Sequence, residues 1–181
     1  INNIFEPKHV NALLGGVEIS QYLLKKKWDY IFFTGSPNIG KIVMKAAAEQ
    51  LCPVTLELGG KSPVIVDHDA KIDVAAKRIA WGKLFNAGQT CIAPDCLYVH
   101  ESIKEEFIKH LIAEFKLALG KNTIESRDYA RIVNQRHFKR LLALIENEKI
   151  IYGGKVSLKE RYIEPTILSN ITLHHRINCQ T

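Results

Sequence analysis

Two side chains in this sequence have the type and setting to do chemistry. Cys91 closes the run Asn86, Ala87, Gly88, Gln89, Thr90, Cys91, and Glu57 sits inside the apolar run Val54–Leu58. Cysteine is the most nucleophilic ordinary side chain at neutral pH, because part of it is already thiolate and positive surroundings raise that part. The flexibility of Gly88 allows backbone amides to turn toward an oxygen beside the sulfur, which is how an oxyanion site is assembled. The same hexapeptide also suits a buried structural cysteine after a helix. A carboxylate at an apolar strand end is costly unless it is paired or used, and burial would raise its pKa toward the range of a general base. An ion pair with Lys61, beyond Gly59 and Gly60, is the alternative.

The elements around these residues read as strands alternating with helices. Val10–Leu14 followed by Gly15 and Gly16 predicts a strand and a turn, with a helix from Glu18 to Lys27 burying Ile19, Leu23 and Leu24. Tyr30–Phe33 is a continuous apolar run of the kind found in a parallel strand covered on both faces. It breaks at Thr34 and Gly35. Ser36 can then cap a helix with Pro37 at its first position and a stripe of Ile39, Ile42, Val43, Ala46 and Ala47 facing inward, to about Gln50. Such a helix start attracts phosphate, since unpaired amides and the helix dipole both point at an anion. Gly35 to Gly40 followed by Lys41 nearly spells a nucleoside-triphosphate loop, but Ile42 stands where magnesium needs a hydroxyl. A plain helix-start turn is the other reading.

Val54–Leu58 and Ser62–Val66 are further buried strands. Asp69 can cap a helix through Ile72, Ala76, Ile79 and Ala80 to about Phe85, leading into the cysteine run. Cys96–Val99 reads as a strand, and Ser102 with Glu105 as a capping box for a helix burying Phe107, Leu111 and Phe115 and ending at Gly120. A second helix is predicted from Gln135 to Glu148, and a single edge-like strand from Tyr162 to Leu168, with Pro165 in it. This alternation predicts an α/β fold with a largely parallel sheet, in which Gly35, Glu57 and Cys91 all lie at strand C-terminal ends. A seam near Leu58 to Lys61 is expected to divide residues 1–58 from a cysteine-bearing portion, 59–173.

Of 181 residues, 46% are hydrophobic and 24% charged, the balance of an ordinary globular protein. The net charge of +6 comes from scattered basic residues, and the run Lys25, Lys26, Lys27 reads as a solvated helix end, so no nucleic-acid partner is expected. Cys52, Cys91, Cys96 and Cys179 do not form a disulfide scaffold, and a reducing, cytoplasmic setting is the default. No metal site is expected: Cys91 and Cys96 lack a completing pair, and His174 with His175 read as solvated residues of an unmatched stretch, 174–181. No run has membrane-spanning length. The chain opens Ile1, Asn2, Asn3, which suggests an internal piece of a longer protein.

Three stretches, in this order and separation, carry a family resemblance. Phe33, Thr34, Gly35, Ser36 with Gly40; Thr55, Leu56, Glu57, Leu58, Gly59, Gly60, Lys61, Ser62, Pro63; and Asn86 to Cys91 resemble the NAD(P)-dependent aldehyde dehydrogenase superfamily. Arg78 to Lys83, the Ala93, Pro94 pair and Arg161 to Ile167 look most like its class 3 branch. The resemblance implies an incomplete aldehyde dehydrogenase-like fold, with 1–58 the end of a cofactor-binding domain and 59–173 part of a catalytic domain. It implies Cys91 as nucleophile, Glu57 as the base that activates water, and Gly35, Ser36 and Gly40 against NAD or NADP. An aldehyde substrate and a homodimer of the full-length protein are implied too, with membrane attachment only through a C-terminal tail this chain lacks. Taken alone, the 181 residues are expected to bind cofactor poorly and turn over little. Competing readings are a non-catalytic relic of the fold or an interaction module, and an acylating enzyme that passes its thioester to coenzyme A. Retention of Cys91 and Glu57 speaks against the first, and retention of Glu57 against the second.

Overall fold

The alternation of strands and helices is realised in a computed structural model that describes residues 4–169 and 171. The chain divides into two compact units, Ile1–Leu58 and Gly59–Thr181.

The first unit contains α1 (Val17–Leu24), β1 (Ile31–Gly35), α2 (Pro37–Ala48) and β2 (Val54–Leu58). β1 and β2 pair in parallel from Ile31↔Val54 to Gly35↔Leu58, joined by α2 as the crossover that a parallel pair requires. Ser36 Oγ accepts the Ile39 amide at 3.4 Å and Pro37 takes the first helical position, so this helix starts as its sequence dictates. Val43 and Ala47 are buried. Gly40 is buried as well, and a Cβ there would stand 2.8 Å from Leu58 Cδ2, so the missing side chain is what allows α2 to approach β2.

Four expectations fail in this unit. The helix predicted to bury Ile19, Leu23 and Leu24 has no buried residue, and Ile19 is 40% exposed. Val10–Leu14 forms no strand, because an apolar run without a partner has nothing to satisfy its backbone in ladder form. Ile39 and Ile42 are 47% and 56% exposed, leaving Val43 and Ala47 as the inward stripe of α2. Burial alternates along β1 and Phe32 is 66% exposed, so the strand is covered on one face only.

The second unit contains β3 (Ser62–Val66), α3 (Ile72–Leu84), β4 (Pro94–Val99), α4 (Lys104–Leu119), α5 (Gln135–Ile145), β5 (Ile150–Tyr152), β6 (Val156–Ser157), β7 (Tyr162–Ile163) and β8 (Ile167–Leu168). β3 and β4 are parallel, with α3 as their crossover. Val66, Ala76, Ile79, Ala80, Leu84, Phe107, Leu111, Phe115 and Leu119 form one buried cluster with Tyr129 and Tyr162. Removing a ring such as that of Phe107, 1% exposed, would cost about 3–5 kcal/mol.

Two helix starts differ from the sequence reading. α3 begins after Lys71 with no side-chain cap, since Asp69 lies too far ahead of the first turn. A 3-10 turn, Glu101–Ile103, precedes α4, and His100 rather than Ser102 supplies its capping acceptor, so the expected capping box does not form. The expected strand from Tyr162 to Leu168 is split. β7 pairs antiparallel with β6 and β8 antiparallel with β5, because Pro165 has no amide to continue a ladder. Gly153, at φ 78°, passes so close to Pro165 that a Cβ would stand 2.1 Å from its carbonyl oxygen.

Candidate functional site

In the first unit, the parallel register sets Thr34 opposite Glu57 and Gly35 opposite Leu58. Glu57 and the Gly35, Ser36 turn therefore share the C-terminal end of the β1–β2 pair, where open α/β sheets bind ligands. Pro37 has no amide and the Ile39 amide is taken by Ser36 Oγ, which leaves the Asn38 amide without a helical acceptor at this end. Glu57 is exposed, not buried as its apolar strand suggests. In the second unit, Lys61 Nζ lies 2.6 Å from Asp95.

In the second unit, Cys91 follows a turn of unusual backbone. Asn86, Ala87 and Gly88 have φ of 50°, 53° and 73°, three consecutive residues in the left-handed region. Glycine and asparagine tolerate this conformation, whereas Ala87 carries a strain of about 1–2 kcal/mol. Gln89 supports the turn. Its Nε2 donates to the Asn86 carbonyl at 3.0 Å and to the Arg131 carbonyl at 3.1 Å, while its Oε1 accepts the Val133 amide at 3.0 Å. Asn86 Nδ2 returns a bond to the Gln89 carbonyl at 3.2 Å.

Cys91 itself is exposed, which rules out the buried structural cysteine. Ser62 Oγ donates to the Cys91 carbonyl at 3.2 Å, and Ser62 pairs with Pro94 at the start of β4. The cysteine thus precedes its strand and lies at the N-terminal end of the β3–β4 pair, not at the C-terminal end expected from the fold rule. The glycine-rich turn, rather than the strand, delivers it.

A charged cluster lies under the turn. Asp95 holds Lys61 at 2.6 Å and Lys83 at 3.7 Å. Burial pushes the Lys83 ammonium below its ordinary pKa, against the opposing pull of Asp95 and with some help from Lys61. The end of the Lys83 side chain packs on Gly88, where a Cβ would meet its Cε at 3.2 Å and its Nζ at 3.3 Å. Gln89, Lys83 and Asp95 are residues to which the sequence motifs give no separate role; the signal available was the break in helical pattern after Leu84. A cavity lined by Lys83, Asp95, Phe107, Phe115 and Ile167 lies in this unit and does not include Cys91.

Parallel strand–helix–strand segments in each unit define an α/β protein. The chain belongs to the aldehyde dehydrogenase family, whose model matches residues 3–180. That match extends through residues 174–180, which the sequence motifs leave unassigned and which lie outside the described residues, as do His174, His175 and Cys179.

Among curated relatives, the chain is 50% identical over 174 residues to 4,4'-diaponeurosporen-aldehyde dehydrogenase of Staphylococcus aureus, covering 95% of this chain and 38% of that protein. It is 51% identical over 157 residues to the dimeric NADP-preferring aldehyde dehydrogenase of Rattus norvegicus, covering 87% and 35%. Aldehyde dehydrogenase family 3 member A2 of Pongo abelii is 50% identical over 157 residues, covering 87% and 32%. The chain therefore spans roughly a third of the length of these relatives. A solved structure of the substrate-bound state of Staphylococcus aureus AldH superimposes with a TM-score of 0.91 at 48% identity, covering 98% of this chain and 39% of that one. Indole-3-acetaldehyde dehydrogenase complexed with NAD+ superimposes with a TM-score of 0.78 at 31% identity, covering 88% and 35%. Among the described residues, no helix is long and apolar enough to cross a membrane.

Proposed function

We propose that this chain is the catalytic portion of a class 3 type aldehyde dehydrogenase that oxidises an aldehyde to a carboxylic acid with NAD or NADP, with Cys91 as nucleophile and Glu57 as base. The observation that carries the reading is the exposed thiol of Cys91, presented after a strained left-handed turn within a chain of this family. Class 3 is supported by relatives at 50–51% identity that bear family 3 and dimeric NADP-preferring names, beside a 4,4'-diaponeurosporen-aldehyde dehydrogenase that is also 50% identical. Those names also support a homodimeric whole protein and an aldehyde substrate.

The Cys91 thiolate adds to the aldehyde carbonyl and forms a thiohemiacetal, whose oxyanion is held by backbone amides of the turn. NAD or NADP, when bound, would supply the hydride acceptor; loss of hydride from the thiohemiacetal carbon leaves a thioester on Cys91. Glu57 takes a proton from water, the hydroxyl adds to the thioester carbonyl, and the acid leaves as the thiolate re-forms. The mechanism requires Glu57 and Cys91 to face one substrate in the whole protein. For the cofactor, residues 1–58 fit as the end of a binding domain: Gly35 and Ser36 open the α2 N-terminus, and Gly40 permits α2 to lie against β2. Residues 59–173 are assigned to the catalytic domain.

The test is aldehyde-dependent formation of reduced NAD or NADP by the intact protein that contains this segment. Cys91→Ala is expected to abolish it; activity retained in that variant would assign the chemistry elsewhere.

A further inference from the structure

The C-terminal ends of β3 and β4 carry a second group of side chains that the aldehyde chemistry does not use. The register Val66↔Val99 brings the two strands out together, and the His100 amide continues the ladder by donating to the Val66 carbonyl at 2.9 Å. Asp67 and His68 therefore leave one strand beside His100 on the other. All three are exposed, and each offers one ligand atom within 4.8 Å of the others.

We propose that Asp67, His68 and His100 form a binding site for a divalent first-row transition ion of the zinc and nickel type. Two imidazoles and one carboxylate are the donor set such ions take. Asp67 Oδ1 and His68 Nδ1 stand 3.0 Å apart, the separation of two neighbouring ligands on an ion with bonds of about 2.1 Å. The His68 and His100 rings lie 5.4 Å apart between centroids, tilted by 54°. His100 is oriented from outside the group: its Nδ1 is 2.8 Å from Ser102 Oγ, which leaves Nε2 for an ion. On ligation Nδ1–H donates to that hydroxyl, the outer contact that metal-bound histidines use, and the longer 3.3 Å bond from the Ser102 amide is given up. Asp67 is anchored in turn by the His68 amide at 2.7 Å.

The sequence reading expects no metal here because it looks for ligands close together along the chain. Asp67 and His68 are far from His100 in sequence, and only the parallel pairing of β3 with β4 makes one group of them. Without an ion, Asp67 and His68 form an exposed hydrogen-bonded pair.

The experiment is a calorimetric titration with Ni2+ of the untagged intact protein that contains this segment, paired with ring-nitrogen NMR of its histidines. One saturable site is expected, with the His68 and His100 rings shifted. His68→Ala and His100→Ala should each weaken binding about tenfold or more, the lower end of what loss of a metal-site partner costs. His174→Ala with His175→Ala, and Cys91→Ser, should leave it unchanged. Absence of binding, an unchanged affinity in either of the first two variants, or loss of binding in the tail or Cys91 variants would overturn the site. His100→Ala also removes the cap on the turn before α4, whereas His68→Ala touches no cap and isolates the ligand role.

Discussion

Gln89 Nε2 donates to the carbonyl oxygen of Arg131 at 3.1 Å, tying the cysteine turn to a segment 42 residues further along the chain. With Gln89 Oε1 accepting the Val133 amide, one side chain fixes the turn to the 131–133 backbone at both polar ends. The left-handed residues Asn86 and Ala87 are held in place by this attachment rather than by their own preference.

Gln89→Ala removes these bonds and leaves the Val133 amide and the Arg131 carbonyl without their partner. The expected loss is about 1–3 kcal/mol of unfolding free energy in urea. Amide hydrogen exchange separates this from a general effect: exchange across residues 86–93 should quicken more than exchange in α4. Uniform quickening through both would show that Gln89 supports the core rather than the turn.

Gly153 and Gly59 make a contrasting pair. At Gly153 a Cβ would meet the Pro165 carbonyl oxygen at 2.1 Å and the backbone is at φ 78°, so both the neighbour and the conformation forbid a side chain. Gly153→Ala should destabilise by about 1–3 kcal/mol or more and loosen the β5–β8 pairing. Around Gly59 nothing lies within 4 Å of the Cβ position and φ is not positive. Gly59→Ala should leave thermal stability unchanged or raise it by about 0.4–1 kcal/mol through the unfolded chain. A loss at Gly59 as large as that at Gly153 would contradict the difference in geometry.

Lys83 is only half-buried, and the desolvation of its ammonium sets the sign of a pH dependence. Its folded pKa lies below the unfolded 10.5, so the unfolded chain binds more protons between those values and stability rises with pH through that window. The buried Tyr129 acts in the opposite sense, since burial raises its pKa and its hydroxyl stays neutral in the fold when the unfolded chain has begun to ionise. Comparison with Lys83→Met isolates the lysine contribution, because Tyr129 is common to both. Denaturation midpoints measured from pH 7 to pH 10 should move in favour of the parent chain relative to Lys83→Met as pH rises. A difference that is flat or reversed would mean that Asp95 outweighs the burial of the ammonium.

Where local chemistry decides, the elements were legible in the sequence. β2 and β3 match their predicted spans, and α2 starts where Ser36 and Pro37 place it. Tertiary partners decide the rest. Ile39, Ile42 and Phe32 fit a buried pattern, yet the described residues put nothing over those faces. Ser102 and Glu105 have capping-box spacing, but His100, two residues earlier, caps a 3-10 turn there and α4 starts without a side-chain cap. The turn offered Cys91 as a candidate nucleophile or a buried cysteine without deciding between them, and its exposure ahead of β4 depends on the register Ser62↔Pro94, which no local pattern reveals. Lys61 reads along the chain as a partner for Glu57, and its ion pair with Asp95, from β4, is set by tertiary structure that no local pattern reveals.

Glu57→Gln in the intact protein separates the two halves of the proposed reaction. Gln keeps the size and polarity of the side chain but cannot accept a proton from water, so addition of aldehyde and loss of hydride proceed while thioester hydrolysis slows. Loss of a general base costs roughly 10²–10⁴-fold, which makes hydrolysis rate-limiting and lets the thioester accumulate on Cys91. The expected record is a pre-steady-state burst of reduced cofactor, stoichiometric with enzyme, followed by a slow steady state. Mass spectrometry of the quenched protein should find the acyl group on the peptide bearing Cys91. Cys91→Ala should show neither burst nor adduct. Equal loss of burst and steady-state rate in Glu57→Gln would place the carboxylate in thiol activation or cofactor positioning and remove it from the hydrolytic step.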